Sequence, residues 1–162
     1  MPEIDSMLLS AVPELSIPAL YTGPGAPMLP PAVNNANHPW FPPIFSQDGW
    51  SCGQASDVGY NFTYEINAAR GVPGDISGNQ YSTHYTWNFY NEGRHDLGVS
   101  YYHSFELIRS AGHPDKEDFG EGINYLSWMN GYDKYYNAMH NRLDGVYSIF
   151  VASEEGILNL KH

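Results

Sequence analysis

Residues 46–56 read Ser46-Gln47-Asp48-Gly49-Trp50-Ser51-Cys52-Gly53-Gln54-Ala55-Ser56 and hold the one cysteine of the 162-residue chain. A loop rich in proline and aromatics, Pro39 to Phe45, leads into this stretch, and a long helical pattern leads out of it. Beyond Cys52, the residues Ala55, Val58, Phe62, Ile66 and Ala69 recur at steps of three and four, which puts them on one face of a helix over 52–70. Ser51 stands where it can cap that helix. Gly71, followed by Pro73 and Gly74, ends it. Gly59 in its interior costs up to about 1 kcal/mol relative to Ala, so close packing is expected on that side. A thiol in the first turn of such a helix lies where unpaired N–H groups and the macrodipole favour negative charge, and the thiolate is the nucleophilic form of cysteine. Gln47, five residues upstream, is placed to offer its amide to a developing oxyanion. The expectation is a nucleophile at Cys52 with an oxyanion donor at Gln47.

Working outward, residues 1–46 read as an extended arm. Nine prolines between Pro13 and Pro43 forbid long helices. Ile17, Leu20, Tyr21, Met28 and Leu29 are interleaved among them, as in an arm that lies against a body. Residues 47–162 are taken as one domain. After the loop 72–81, Tyr81 to Tyr90 is expected to form one or two helical turns, and Asn91 to Gly98 a polar turn. A second helix is expected over 99–111, with Tyr101, Phe105, Ile108 and Ala111 on one side and Gly112 and Pro114 closing it. Residues 115–122 read as a charged loop, and a third, shorter helix is expected over Asp133 to Asn141. The β-rich run 145–151 reads as a strand. Ser153-Glu154-Glu155 opens a last helix, with acids in its first turn, whose Ile157, Leu158 and Leu160 call for a partner.

Composition narrows the classes. Apolar residues make up 42% of the chain, which suits a folded domain with a core, and aromatics 15%, with thirteen tyrosines to fill a mixed core. The net charge is −11 and no Lys/Arg cluster occurs, so nucleic acid is a poor partner. The acidic balance suits a soluble, exported protein. No apolar run approaches the roughly 20 residues of a membrane span. No signal peptide is visible in 1–10. A single cysteine forms no internal disulfide.

Other chemistries fit less well. His84, His95, Asp96 and His103 are metal-ligand types within a short span, but their spacing matches no tight site, and histidines on surface turns are the simpler reading. The glycines between Gly71 and Gly78 lack the strand–loop–helix context and the lysine of a phosphate loop. Asn61-Phe62-Thr63 matches a glycosylation sequon but falls inside the central helix. No cofactor and no metal are expected. A lone cysteine is often a buried apolar residue, so a non-catalytic peptide- or glycan-binding module with a structural Cys52 is the competing class. Seven histidines are present, at 38, 84, 95, 103, 113, 140 and 162, and none is singled out as a general base for Cys52.

On these residues the chain resembles the papain-like (C1-type) cysteine peptidases, and more closely their divergent bacterial members. The loop Phe41-Pro42-Pro43-Ile44-Phe45-Ser46-Gln47 is similar to the one that carries that family's oxyanion glutamine. Ser51-Cys52 is similar to its Ser-Cys pair at the head of the central helix. The stretch Gly98 to Gly112 is similar to the family's second helix, and Glu154 to His162 to the short helix before its right-hand domain. The resemblance implies an α+β, mostly helical fold with little strand: the left-hand domain, its central helix beginning at the cysteine. It implies hydrolysis of peptide bonds in peptide or protein substrates through an acyl-thioester on Cys52. Gln47 and the Cys52 N–H would form the oxyanion hole, and Trp50, Ser51 and Gly53 would line the cleft.

The family's histidine lies roughly 130–150 residues past its cysteine, whereas the chain extends 110 residues past Cys52. The catalytic His and Asn are therefore expected in a missing C-terminal domain, and the chain alone is expected to be inactive. Three departures stand out. The Gln47–Cys52 spacing is one residue short, Gly53 follows the cysteine where an aromatic is usual, and Trp50 stands where glycine is usual. A second register would put Cys52-Gly53 on the family's upstream Cys-Gly pair and Ala55 at the nucleophile position, making the chain a dead homologue. The glutamine spacing fits the first register better.

Overall fold

A computed structural model describes residues 28, 30–120 and 123–161. The expectations for Ile17, Leu20, Tyr21 and Leu29, and for a histidine at 162, concern residues outside these. The chain divides into two compact units, one of residues 35–144 and one that combines residues near the N-terminus with 145–162.

The first unit is built on one helix. Cys52–Gln54 is α-helical, Ala55–Phe62 is a π-helix and Thr63–Arg70 is α-helical, and the three follow one another without a break; together they are α1. After it come α2 (Thr83–Tyr90), α3 (Tyr101–Ala111), α4 (Lys116–Phe119) and α5 (Tyr132–Ala138). Short 3₁₀ turns occupy Asn35–Asn37 and Ser77–Asn79. Among the described residues there is no sheet, and Tyr81 and Asp115 form one isolated bridge. The fold is thus mostly helical, with α1 beginning at the cysteine.

The π segment changes which residues of α1 face inward. Each i→i+5 ring takes one residue more than an α-helical ring, and Thr63 Oγ1 donates to Val58 O across this wider turn, at 3.1 Å. Ala55, Val58, Gly59 and Phe62 are buried as the three- and four-residue spacing expects, but Thr63 and Asn67 then take over the stripe, while Ile66 is half-buried and Ala69 is exposed. Gly71, at φ +67°, closes the helix in a Schellman arrangement: its N–H reaches Ala68 O and the N–H of Val72 reaches Asn67 O. The close packing expected at Gly59 is present. A Cβ there would run into the Phe45 ring and stand 3.2 Å from Thr83 Cγ2. Phe45 stacks on Tyr60 at 4.7 Å between ring centroids, and Trp40 and Phe41 lie against Tyr64, so residues 38–45 line α1 with aromatics.

Four local expectations are corrected. Residues 115–122 are not all loop: Asp115 Oδ1 accepts from the N–H groups of Glu117 and Asp118 and so caps α4. The inward face of α3 is Ser104, Leu107 and Ile108, with Ser104 turned to Gln54 of α1; Tyr101 is exposed and Phe105 half-buried. The third helix begins and ends earlier than 133–141, at Tyr132–Ala138. In the second unit, 145–151 forms no strand beyond a bridge residue at Ser148, and Tyr147, Phe150 and Val151 are exposed. β-Branched and aromatic composition describes a half-buried pleated surface, and propensity alone does not make a strand of this run. That unit also carries α6 (Glu154–Lys161), where Ser153 Oγ accepts from the Gly156 N–H. Its Ile157, Leu158 and Leu160 are exposed.

Two apolar clusters fill the first unit. One joins Val58, Phe62, Tyr81 and Ile108, and the other Tyr85, Leu107, Phe119 and Met129. Between Phe62, Tyr81 and Tyr85 lies the imidazole of His113, fully buried. Its Nδ1 donates to Pro114 O at 2.7 Å, and Nε2 makes no hydrogen bond of good geometry, with the Ser82 backbone as its polar neighbour. Burial pushes this histidine down to about 4. Asp57, with one buried oxygen unpartnered, is pushed up to about 6 by burial.

Two expectations follow. At Gly112, φ is +80° and an added Cβ would overlap the Ala138 carbonyl, whereas at Gly71 the space around a Cβ is open. Gly112→Ala should therefore cost well over about 2 kcal/mol, and Gly71→Ala only about 1 kcal/mol of left-handed strain, as read from urea midpoints. The second expectation concerns acid. His113 has a folded value below its unfolded one, so the unfolded chain binds the proton more tightly. Its contribution is intact above about pH 6.5 and is lost as pH falls from there towards 4, by on the order of 3 kcal/mol. Asp57 acts in the opposite sense, since its raised value makes the folded carboxylate unfavourable at neutral pH and acid relieves this. Denaturant melts against pH should show His113→Leu flattening the acid loss. Asp57→Asn should raise stability at pH 7 and lose that advantage towards pH 4.

Candidate functional site

Cys52 is the first residue of α1, a free thiol and exposed. The N–H groups of a first helical turn have no intrahelical acceptors, so the thiol sits beside backbone donors. Ser51 before it is fully buried. It occupies the cap position but does not cap: its hydroxyl donates to Asp48 O at 2.7 Å and accepts from no helical N–H. That bond tightens the 48–51 turn, in which the Ser51 N–H also donates to Asp48 O at 3.3 Å. Trp50 is 61% exposed, beside Gly98. Gly53 is half-buried and faces the Val99 carbonyl, which would stand 3.2 Å from a Cβ at this position. This close approach leaves little room for a side chain at position 53. Ala55, the nucleophile position in the other register, is buried in the π segment.

Gln47 is exposed, and its amide donates to Gly49 O at 3.3 Å, within its own turn. No hydrogen bond joins it to Cys52. The structure thus brings Trp50, Ser51, Cys52 and Gly53 together at the head of α1 and leaves the Gln47 amide tied to its loop.

Two ties hold this head in place. Gln54, fully buried, donates from Nε2 to Val99 O at 3.1 Å and to Ser104 Oγ at 3.1 Å, which joins α1 to the start of α3. On the other side, the Asp48 carboxylate accepts from His95 Nε2 at 3.0 Å and from His84 Nε2 at 3.2 Å. These bonds, first His95 and then His84, hold the Asp48 carboxyl below the usual carboxylate range. Trp50 N donates to His95 O at 3.3 Å, and Trp87 Nε1 to Leu97 O at 2.9 Å, so the loop before Cys52, the 94–97 turn and α2 are fastened together. Gly49, at φ +52°, is wedged between His95 O and the Trp87 ring, where a Cβ would come within 2.7 Å of both.

His84 is therefore not a surface histidine on a turn. It lies on α2 with its side chain 12% exposed, and its partner is Asp48, 36 residues away. His95 is on a turn and half exposed. Among the described residues no histidine hydrogen-bonds to Cys52. His38 stacks on Trp40, His103 on Tyr90, His140 meets Tyr136 edge-on and His113 is in the core. No group of three His, Cys, Asp or Glu side chains disposed to hold a metal occurs among the described residues. No described helix is long and apolar enough to cross a membrane.

Sequence reasoning missed Asp48 and Gln54, although both fall inside the stretch that decides the fold. Their partners lie 36 to 50 residues away, and no local spacing announces such a pairing. Comparison with family models, with curated proteins and with solved structures finds no match in any of the three.

If the two imidazoles hold the loop through Asp48, then Asp48→Ala should free it. Hydrogen exchange at the Trp50 amide, bonded to His95 O, should quicken by about tenfold or more, while amides in the middle of α3 keep their protection. Because Asp48 is held below its ordinary value, its contribution is complete above about pH 4 and is lost only as acid protonates the folded carboxylate. The wild-type loop should keep its protection down to that pH.

Proposed function

We propose that the chain is the N-terminal, helical portion of a papain-like cysteine peptidase, with Cys52 as its nucleophile. The observation that carries the reading is the exposed thiol on the first residue of α1, open to solvent beside Trp50 and next to the unpaired N–H groups of a first helical turn. The burial of Ala55 favours the register that puts the nucleophile at Cys52.

In the proposed reaction the Cys52 sulfur bonds to the scissile carbonyl carbon, and the carbonyl electron pair moves onto oxygen. The Cys52 N–H and its neighbours in the first turn stabilise that oxyanion. Collapse of the intermediate expels the amine, which takes a proton from an imidazolium, and water then hydrolyses the thioester. The proton carrier and the asparagine that orients it are not among the residues bonded to Cys52; the resemblance assigns them to a right-hand domain. Gln47 joins the oxyanion hole either through the second N–H of its amide or by leaving Gly49 O.

A second reading, a non-catalytic peptide-binding module, is favoured by the bond that ties the Gln47 amide into its own turn and by the exposed Trp50. Iodoacetamide should label Cys52 stoichiometrically in the folded chain, with no label on Cys52→Ser; labelling only after unfolding would contradict the exposed thiol. Residues 1–162 alone should show no turnover of an unfolded protein substrate. A longer form that carries a downstream His and Asn should turn over and lose all activity on Cys52→Ala. Activity that survives Cys52→Ala in that form would overturn the proposal, and a longer form that binds peptide without cleaving it would support the second reading.

A further inference from the structure

Away from Cys52, the first unit holds a cavity of about 490 Å³ between the loop before Gln47, the start of α2 and the start of α4. None of Gln47, Trp50, Ser51, Cys52 or Gly53 lines it. Its volume falls in the roughly 300–1,000 Å³ range of small-molecule sites. Phe45 and Tyr81 give it aromatic walls, while Ser46, Thr83, Gln80 and Lys116 bring hydroxyl, amide and ammonium groups to the lining.

Lys116 is the informative member. It is half-buried, and its known partners are neutral: Nζ donates to Gln80 Oε1 at 2.8 Å and stands 5.3 Å from the centroid of the Phe45 ring. None of the ion pairs among the described residues includes it. Gln80 cannot turn its other end to the ammonium, because its Nε2 is committed to Gly74 O at 2.9 Å, and its own carbonyl holds the Lys116 N–H at 2.9 Å. The lysine is thus fixed in place by neutral acceptors beside a cavity. A cation taken partly out of water keeps its charge at a cost unless an anion joins it, and burial does push this lysine below its ordinary value.

The geometry points to a binding site in this cavity for a small carboxylate, held by the Lys116 ammonium and by hydroxyls of the lining, with its apolar part against Phe45 and Tyr81. His84 also lines the cavity, but its Nε2 is bonded to the Asp48 carboxylate, so the Lys116 ammonium is the charge left to a ligand, and it matches one negative charge. A phosphate dianion would be left half-compensated in a chain of net charge −11, with Asp75 also on the lining. The site is separate from Cys52 and does not depend on the peptidase reading.

The probes are N-acetylalanine, which carries the carboxylate, its neutral amide, and inorganic phosphate, each titrated into the full chain and followed by amide shifts in ¹H–¹⁵N spectra. N-acetylalanine should saturate shifts at Thr83 and Lys116, at least tenfold tighter than the amide and tighter than phosphate. Lys116→Met should abolish the effect. Gln80→Glu, which places a carboxylate of the chain's own against the ammonium, should weaken it at least tenfold. Should Lys116→Met not fold, the acid–amide contrast and Gln80→Glu decide the matter. Cys52→Ser should bind N-acetylalanine as the wild type does, which separates this site from the thiol. Equal response to acid and amide, preference for phosphate, binding retained in folded Lys116→Met, or no shift well above millimolar ligand would each overturn the assignment.

Discussion

Buried main-chain groups must be paired, and among the described residues no sheet does the pairing. Five buried amide side chains do much of it instead. Gln54 reaches Val99 O, Asn67 reaches Trp40 O and Asn79 O, Asn88 reaches Asn124 O and Ser127 O, Asn91 reaches Tyr125 O, and Asn141 reaches His113 O. Each is at most 8% exposed. A primary amide offers two donors and an acceptor from one rigid plane, so it can hold two strands of loop where a hydroxyl could hold one. Leaving a single such carbonyl buried and unpaired costs about 1–3 kcal/mol. The loops of this protein are therefore positioned by amide side chains, Gln54, Asn67 and Asn88 from helices and Asn91 and Asn141 from just beyond helix ends, and those three helical amides fix the rotation of their helices.

This constraint places the thiol. Gln54 can reach both Val99 O and Ser104 Oγ only if its face of α1 turns toward the start of α3, and Cys52, two residues earlier, is then carried to the outside. The π segment that follows serves the same end further along. Its wider turn keeps Val58 and Phe62 in the apolar cluster and still brings Asn67 round to the carbonyls of Trp40 and Asn79. Val58, Phe62 and Asn67 could not all hold these places on an unbroken α-helix with the same stripe. The head of the helix is exposed because its flank is committed to polar ties.

The punctuation of the chain was legible in its residues. Cys52 and Gly71 mark the ends of α1, Gly112 ends α3 and Ser153 opens α6, because caps and left-handed glycines act within a few residues of themselves. The aromatic run that becomes α2 was legible for the same reason. Burial was less so. Hydrophobic periodicity picks out Ala69, which is exposed, and passes over Asn67, which is buried, since it credits apolar side chains and treats every amide as solvent-facing. The failed strand at 145–151 shows the converse, as β propensity measures fitness for a surface that needs a partner. Of the candidate site, the thiol and its helix could be read, whereas Asp48, His84 and His95 could not. That triad is closed by tertiary structure across 36 and 47 residues.

The same triad bears on the chemistry of Cys52. A carboxylate that accepts a proton-bearing imidazole nitrogen is how a catalytic histidine is oriented, and here one carboxylate holds two imidazoles by Nε2. Neither ring bonds to the thiol, and both are tied to a loop that must stay closed if the turn leading into Cys52 is to hold its shape. A neutral histidine that gives its Nε2–H to Asp48 keeps its lone pair on Nδ1, so the Asp48 bond orients these rings without using up their basicity. On the proposed reading the head of α1 keeps the nucleophile in place and solvent-accessible, and the proton carrier is a group not hydrogen-bonded to it in this arrangement.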